Sequence, residues 1–241
     1  MKRLYYSLHN HSCLSPCADN DNTPNNLLGM AALSGIGIMA LTDHNTVKNC
    51  PAFFEAAKNY GVIPIAGMEL TTSEDIHVVF LFPTLESAMR FGDYVESQRI
   101  LIRNRPDIFG EQLITDAMDN VIGRDEHLLS NATSISVEDV IGLAREYGGV
   151  CFPAHIDKDA NSITAILGTI PEHLDFRSVE VHDQSRVEKV KELYPIDGKT
   201  VLIDTDSHYL TDIEDALYYV DVDTEESDAD ILRNLFIDLL R

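Results

Sequence analysis

Short apolar runs alternate with longer amphipathic segments along most of the chain. The first two apolar runs, residues 4–8 (LYYSL) and 38–41 (IMAL), have the length of strands. The segment between them has helix signals, with Thr23 at the N-cap, Pro24 at the first helical position and a glycine at its end. Strands and helices that alternate in this way predict an α/β fold with a parallel sheet, wound open or closed into a barrel.

The pattern gives no sign of a domain boundary. No internal repeat and no low-complexity linker divides the 241 residues. A chain of this length fits one large α/β domain, and we predict a single domain over residues 1–241. Residues 104–135 are less regular, which predicts a helix-containing insertion near the rim of the barrel.

The charge balance is strongly acidic, with 18 Lys and Arg residues and a formal net charge of −22. A broad grip on duplex nucleic acid needs clustered Lys and Arg side chains. We therefore expect a small phosphorylated partner and no duplex nucleic acid. A small anion is compatible with an acidic protein because bound metal ions supply local positive charge.

Cysteine usage and hydropathy indicate the compartment. The four cysteines (Cys13, Cys17, Cys50 and Cys151) form no C-x-x-C pair, so disulfides are not expected. The N-terminus has no apolar signal region, and no run reaches the roughly 18 apolar residues of a membrane span. These features predict a cytoplasmic protein without a membrane partner. They do not predict its oligomeric state.

Chemically active side chains recur next to the predicted strands. The candidates are His9, His11, His44, Glu69, His77, His155, Asp206 and His208. Sites in parallel α/β folds are built at the carboxyl ends of the strands, so most of these side chains would meet at one rim. Imidazole and carboxylate are ligands for zinc, manganese and iron, so the pattern predicts a metal centre. His127 and His173 lie outside the pattern, while His182 follows a strand and stays open.

Six short motifs carry a resemblance to a known family. They are HNH (9–11), TDHN (42–45), GMEL (67–70), IHVV (76–79), PAHID (153–157) and DTDSH (204–208). Together, and in this order, they resemble the PHP family, the polymerase and histidinol phosphatase superfamily of metal-dependent phosphoesterases. The resemblance implies a distorted seven-stranded (β/α) barrel with up to three metal ions at its carboxyl rim.

The resemblance also implies how the ligands are shared. It assigns His9, His11, Glu69 and Asp206 to a first ion. It assigns His44 and His208 to a second ion, and Glu69, His77 and His155 to a third, with Glu69 as a bridge. Asp43, beside His44, is implied as a partner that fixes an imidazole from behind, which metal sites usually need.

One position departs from the family pattern. The family commonly has a further His or Asp ligand soon after the His-x-His. An ungapped match puts Cys17 there, and a small gap puts Asp19 there instead. Thiolate is a good zinc ligand, whereas carboxylate suits manganese better. Both residues stay open as ligands, as does the interpretation of Cys17 as a small buried turn residue.

Two or three divalent ions (Zn, Mn or Fe) suit hydrolysis of a small phosphate ester by a metal-activated water. Asp206 and His208 are the predicted catalytic residues, which would move a proton to the leaving group. Lys158 and Arg186 are the predicted phosphate-binding residues. A cluster of Arg99, Arg103 and Arg105 is a weaker candidate for that role.

Two alternative functions remain open. Amidohydrolases also use a His-x-His on a (β/α) barrel, but typically with a bridging lysine, and no lysine lies at a strand end before His155. A non-catalytic metal-binding regulatory module is the second alternative. The filled ligand positions favour an active site over such a module, although fold and ligands do not prove turnover.

Overall fold

The computed structural model describes all residues, 1–241, in ten strands and eight α-helices. The strands are β1 (Lys2–Ser7), β2 (Ile38–Leu41), β3 (Ile63–Thr71), β4 (His77–Phe82), β5 (Leu113–Thr115), β6 (Val121–Arg124), β7 (Val150–Pro153), β8 (Ser178–Val181), β9 (Thr200–Ile203) and β10 (Tyr219–Val222). The helices are α1 (Pro24–Leu33), α2 (Cys50–Ala57), α3 (Leu85–Gln98), α4 (Pro106–Phe109), α5 (Val140–Glu146), α6 (Ile163–Leu167), α7 (Val187–Leu193) and α8 (Ala229–Asp238). None of them combines the length and apolar character needed to cross a membrane. The cytoplasmic location stays a prediction.

The sheet curls into a distorted barrel. Six strands are hydrogen-bonded in the order β10-β1-β2-β3-β4-β7, and β8 and β9 form a separate parallel pair. The backbone N–H of Ile156, after β7, donates to the carbonyl of Glu180 in β8 at 2.8 Å. Past the end of β9, Ser207 exchanges backbone hydrogen bonds with the segment that follows β1. Seven strands therefore follow one another around the barrel.

The predicted α/β barrel is confirmed, with two differences in its strands. Strand β10 lies outside the ring on the edge of β1, and β5 and β6 form a separate hairpin. The expectation of a parallel sheet is wrong for β4 and β10, which run antiparallel to their neighbours. Residues 72–76 are the whole connection between β3 and β4. A parallel crossover needs roughly a dozen residues or more, so this connection allows only a hairpin.

Apolar side chains cover both faces of the sheet. On one face, Phe80 and Phe82 of β4 stack on Phe91 of α3, with ring centroids 4.6 and 5.1 Å apart. On the other face, Phe236 of α8 packs edge-on against Tyr6 of β1. Burial on both faces explains the near-continuous apolar strands. It also gives the residues at the strand ends a rigid frame.

The irregular segment 104–135 contains α4 and the β5–β6 hairpin. It packs against the loop that follows β1: the N–H of Leu113 donates to the carbonyl of Cys13 at 2.8 Å. Gly110 has a φ of +97°, and a Cβ atom there would lie 2.2 Å from the carbonyl oxygen of Pro16. Only glycine fits this close approach. The insertion therefore supports the stretch of chain that leads to Cys17.

Candidate metal centre

The predicted ligands meet at one rim of the barrel. His9, His11 and His44 follow parallel strands, and Glu69 lies near the end of β3. His77 is the first residue of β4, paired in register with Thr71 at the end of β3. An antiparallel strand begins where its parallel neighbours end. The hairpin therefore brings His77 to the same rim as the other ligands.

Three groups of ligand atoms form there, each with all its atoms within 4.8 Å of one another. The groups are His9, His11, Glu69 and Asp206; His44, Glu69 and His77; and His11, Cys17, His44 and His208. The Nε2 atom of His155 lies 3.2 Å from the Oε1 atom of Glu69, at the edge of the same cluster. Of the predicted ligands, only Asp19 is not brought into the cluster.

Glu69 occupies the middle of the cluster and is 1% exposed. Its carboxylate lies 2.8 Å from Nδ1 of His77 and 3.0 Å from Nδ1 of His44. Burial alone would raise the pKa of Glu69, but the surrounding imidazoles hold it well below its ordinary value. A carboxylate that is kept ionised among imidazoles has the properties of a ligand that bridges cations.

Several buried polar atoms in this cluster have no hydrogen-bond partner. They are Nε2 of His9, Nδ1 of His44, Nδ1 of His77, Nδ1 of His155 and Oε2 of Glu69. Buried polar atoms in proteins are normally satisfied, and an unsatisfied one costs about 1–3 kcal/mol. Divalent cations in the cluster would accept lone pairs from the atoms of His9, His44, His77 and Glu69, and from Nε2 of His155, the ring nitrogen that faces Glu69. The residues present therefore fit the metal ions that the motifs imply.

Glu180 orients His9 and was missed by the sequence reasoning. The Oε2 atom of Glu180 lies 2.9 Å from Nδ1 of His9, so Nδ1–H donates and Nε2 faces the cluster. Burial lowers the pKa of His9, but the carboxylates of Glu180, Asp206 and Glu69 together raise it well above its ordinary value. The missed signal is a carboxylate inside the short, fully buried strand β8, where a buried charge needs a partner.

Asp43 orients a different histidine from the one beside it. Both the backbone N–H of Ser12 and the hydroxyl of Ser15 donate to Oδ1 of Asp43, at 2.7 and 2.8 Å. The Ser15 hydroxyl is then free to accept from Nδ1–H of His11 at 2.9 Å. Asp43 thus reaches His11 through Ser15, and His11 directs its Nε2 atom into the cluster.

His208 is fixed in a similar way. Its Nδ1 atom lies 2.7 Å from the carbonyl oxygen of Asp206, which can only accept, so Nδ1 carries the proton. Nε2 is then available as a ligand. Burial, together with the neighbouring His11, lowers the pKa of His208 to about 4. The lowered pKa keeps Nε2 of His208 unprotonated, as both a metal ligand and a proton acceptor require.

Cys17 and Asp19, the two alternative ligands, lie in different surroundings. The Sγ atom of Cys17 lies with the ring nitrogens of the third group, whereas Oδ1 of Asp19 accepts from the N–H of Asp21 at 2.8 Å in a local turn. Desolvation and the carboxylates of Glu69 and Asp206 raise the pKa of the Cys17 thiol. A bound cation would oppose this effect.

Two candidate ligands have an unusual backbone conformation. His155 has a φ of +31° and Asp206 a φ of +51°, both outside the usual range for residues with a side chain. Such residues cost of order 1–3 kcal/mol each and cluster at functional sites. Here they aim two side chains at the same rim.

A cavity of about 980 Å³ opens beside the cluster. Its wall includes Cys17, Lys158, His182, Arg186, Asp206 and His208. Lys158 Nζ lies 2.7 Å from Oδ2 of Asp206, and Arg186 Nη1 donates to the carbonyl of Asp157 at 2.8 Å. The two predicted phosphate-binding residues are therefore brought to the cavity, and His182 lines it without joining the ligand cluster.

The arginine cluster of the insertion is not part of the cavity. Arg99 is buried and paired with Asp125 at 2.9 Å, so the interpretation of Arg99 as a phosphate ligand is wrong. Arg105 pairs with Asp107 on the surface. His173 is exposed beside Glu138, as expected for a histidine outside the pattern.

Comparison with known protein families supports the same interpretation. A family model described as the PHP domain matches residues 7–146, more than half of the chain. The chain belongs to the PHP domain family. The resemblance carried by the six motifs is thereby confirmed. The histidines, glutamate and aspartate at the rim are candidate metal ligands of a family of metal-dependent hydrolases.

Curated relatives match parts of this PHP chain. An error-prone DNA polymerase of Symbiobacterium thermophilum is 38% identical over 77 residues, which cover 32% of this chain and 7% of the polymerase. A 5'-3' exoribonuclease of Haemophilus influenzae is 32% identical over 112 residues, covering 45% of this chain and 39% of the relative. The chain thus spans well under half the length of either relative.

Solved structures share the fold over nearly the whole chain. Endonuclease Q of Pyrococcus furiosus has a TM-score of 0.61 at 16% identity, covering 97% of this chain and 55% of the endonuclease. A proposed metal-dependent phosphoesterase of Bifidobacterium adolescentis has a TM-score of 0.58 at 16% identity, covering 97% and 96% of the two chains.

The expectation of a small phosphorylated partner and no duplex nucleic acid is wrong. Endonuclease Q, which has this fold, is also known in complex with a 27-mer duplex substrate with an abasic lesion at the active site. That structure has a TM-score of 0.55 at 16% identity, covering 87% of this chain and 50% of the endonuclease. The curated relatives are named a DNA polymerase and an exoribonuclease. Net charge averages over the whole surface, whereas a binding site depends on the few charges around one cavity.

Proposed function

We propose that this chain is a metal-dependent phosphoesterase that cleaves a phosphoester bond in a nucleic acid. The observation that carries the proposal is the set of unsatisfied buried ligand atoms that converge beside one open cavity. Lys158, on the wall of that cavity, adds a positive charge next to the ligands. A phosphate group needs this combination of metal ligands and a nearby ammonium.

Two or three ions fit the ligand groups. His9, His11, Glu69 and Asp206 would hold one ion, and Glu69, His77 and His155 would surround another. Cys17, His44 and His208 would hold a further one, because Nε2 of His11 can bind only one ion. Zinc, manganese or iron, when bound, would neutralise phosphoryl oxygens and make water a nucleophile near neutral pH.

The chain's own residues would bind and orient the phosphate. The Lys158 ammonium, which now contacts Asp206, can donate to a phosphoryl oxygen placed between the two residues. Arg186 is held by the carbonyl of Asp157 at the same cavity and can contact a second oxygen. Asp206 and His208 line the cavity as candidates for moving a proton to the leaving oxygen.

The acidic surroundings favour contact with few nucleotides. Asp183, Asp212 and Glu214 also line the cavity and would repel additional phosphates. The nucleic acid would therefore be held mainly at the scissile phosphate and the adjacent nucleotide. This mode predicts a weak dependence of binding on salt, since each neutralised phosphate adds roughly 0.7–0.9 to the salt slope. The relatives named polymerase and exoribonuclease support a nucleic-acid substrate.

The test is hydrolysis of a substrate panel by metal-free protein reloaded with zinc or manganese. The panel comprises nucleoside monophosphates, 5'-phosphorylated single strands of RNA and DNA, an abasic duplex, and amide substrates of amidohydrolases. His9→Ala should abolish phosphoester cleavage, and the matched control His173→Ala, at an exposed and remote histidine, should not. Cleavage of amides alone would favour the amidohydrolase alternative. Metal binding without any cleavage would favour a regulatory module.

A further inference from the structure

One ligand group at the rim differs chemically from the others. His11, Cys17, His44 and His208 place one sulfur and three imidazole nitrogens within 4.8 Å of one another, without a carboxylate. We propose that this group is a thiolate-containing site that selects zinc or cobalt over manganese and magnesium, unlike the carboxylate-rich group around Glu69 and Asp206. The inference rests on the proposed metal centre but not on the proposed reaction.

Ligand chemistry separates the two kinds of group. Nε2 of His11 can serve only one ion, so the ligands particular to this group are the Cys17 thiolate and the imidazoles of His44 and His208. Such a set suits zinc, with which thiolate bonds well. Manganese and magnesium prefer oxygen ligands. The group His9, His11, Glu69 and Asp206 offers two carboxylates and accepts either class of metal. One rim would therefore hold ions of different preference side by side.

Two imidazoles of the thiolate site are fixed with Nε2 as their inward nitrogen. Nδ1 of His11 donates to Ser15 and Nδ1 of His208 donates to the carbonyl of Asp206, so both rings offer Nε2. The ring centroids of His44 and His208 each lie 4.5 Å from that of His11. The three rings thus converge on one point, and this observation is independent of the cysteine itself.

The loop that carries Cys17 is held in place on both sides of the residue. The backbone N–H of Asp19 donates to the carbonyl of His208 at 3.0 Å, which ties the loop to a ligand segment. On the other side, the Pro16 carbonyl packs against Gly110 of the insertion. Ala18 N–H donates to the carbonyl of Ser15 at 3.0 Å. The sulfur is therefore positioned by contacts other than those with a metal.

The structure also explains why Asp19 would not substitute for Cys17. The Asp19 carboxylate accepts the N–H of Asp21 and stabilises the turn that leads to α1. Turning that carboxylate toward the histidines would break this bond. The thiol, by contrast, lies on the wall of the large cavity and is reachable by an incoming ion.

The experiment is a cobalt(II) titration of the metal-free full chain, followed by absorption spectroscopy. The wild type should show a thiolate-to-cobalt charge-transfer band in the near ultraviolet and the strong visible bands of a four-coordinate site. Cys17→Ser should lose the charge-transfer band and weaken zinc binding at this site by at least about tenfold, since even outer partners of a ligand contribute that much. Cys17→Asp should shift the preference of the site toward manganese, measured by competition.

Two control variants test the alternatives. Cys151→Ala removes a cysteine from β7, and Asp19→Asn removes the competing carboxylate; both should keep the charge-transfer band. Persistence of the band in Cys17→Ser, or cobalt binding to the wild type without the band, would overturn the proposal. A normal band in a protein that cleaves no phosphoester would keep this site and refute the proposed function. Failure of the folded protein to bind cobalt would overturn both.

Discussion

Two clusters of buried charged residues lie in this molecule, and they differ in how well their atoms are satisfied. The first is the ligand cluster at the barrel rim. The second joins α3 to the insertion, where Arg99 contacts Asp125 through two hydrogen bonds of 2.9 and 3.0 Å, and Lys48 adds a third of 2.7 Å. The Arg99–Asp125 cluster pairs its charges internally. The rim cluster leaves five buried nitrogen and oxygen atoms without partners.

The difference shows what distinguishes a ligand site from a structural ion pair. Both clusters contain buried charges, which are expensive unless paired. The Arg99–Asp125 cluster contains cations and anions of the chain itself and therefore needs nothing more. The rim cluster contains mainly lone-pair donors, and its composition calls for external cations.

The largest expected effect comes from removing a rim ligand. Asp206→Asn should lower kcat/KM for phosphoester cleavage by at least about 100-fold. Loss of a group behind a ligand typically costs about 10–100-fold, and loss of a ligand itself should cost more. Metal content per folded chain should fall as well, measured by elemental analysis. Asp125→Asn should leave the metal content unchanged. Equal metal loss in both variants would erase the distinction between the clusters.

Breaking the Arg99–Asp125 cluster should instead cost stability. Asp125→Ala leaves Arg99 buried without its main partner, and should lower the free energy of unfolding by about 3–5 kcal/mol. The matched control is Asp107→Ala, which breaks the exposed pair with Arg105 and should cost about 0–1 kcal/mol. Urea denaturation measures both. Similar losses in the two variants would contradict the structural role assigned to Asp125.

Glu180 tests how far the rim depends on groups behind the ligands. Glu180→Gln keeps an oxygen near His9 but removes the charge that fixes and supports its imidazole. Metal affinity should fall by about 10–100-fold, measured by competition with a chelating dye. Glu188→Gln, on the exposed face of α7, is the control and should bind metal normally. An unchanged metal affinity in Glu180→Gln would show that the Glu180 carboxylate does not support metal binding.

Acid should weaken the Arg99–Asp125 cluster over a defined pH range. Burial alone would raise the pKa of Asp125, but Arg99 and Lys48 lower it to about 2 from an ordinary value of 3.8. A lowered carboxyl pKa stabilises the fold above the unfolded value, and this contribution is lost as pH falls from about 4 to 2. Asp125→Asn should flatten the stability profile there. An unchanged acid slope would show that another group causes it.

Much of the rim was predictable because its signals are local. The position of a histidine directly after a predicted strand is enough to predict that it lies at the rim. His9, His11 and His44 were placed in this way. His77 is instructive because it begins its strand. It reaches the rim only through the antiparallel direction of β4, which the sequence reasoning did not predict.

The partners behind the ligands could not be predicted, because they depend on contacts across the fold. Glu180 lies 171 positions from His9, and no local pattern connects them. Ser15 links Asp43 to His11 through a loop conformation that the sequence does not specify. Arg99 resembled a phosphate ligand until its pairing with Asp125 was visible. The net charge led to the wrong expectation about nucleic acid for the same reason, since it does not show where on the surface the charges lie.

The most direct test of the account is an anomalous-scattering map of crystals soaked in zinc or manganese. We expect strong anomalous peaks among His9, His11, Glu69 and Asp206, and no peak beside Arg99 and Asp125. Well-ordered crystals of folded protein with no peak at the rim would contradict the assignment of the unsatisfied cluster as a metal centre.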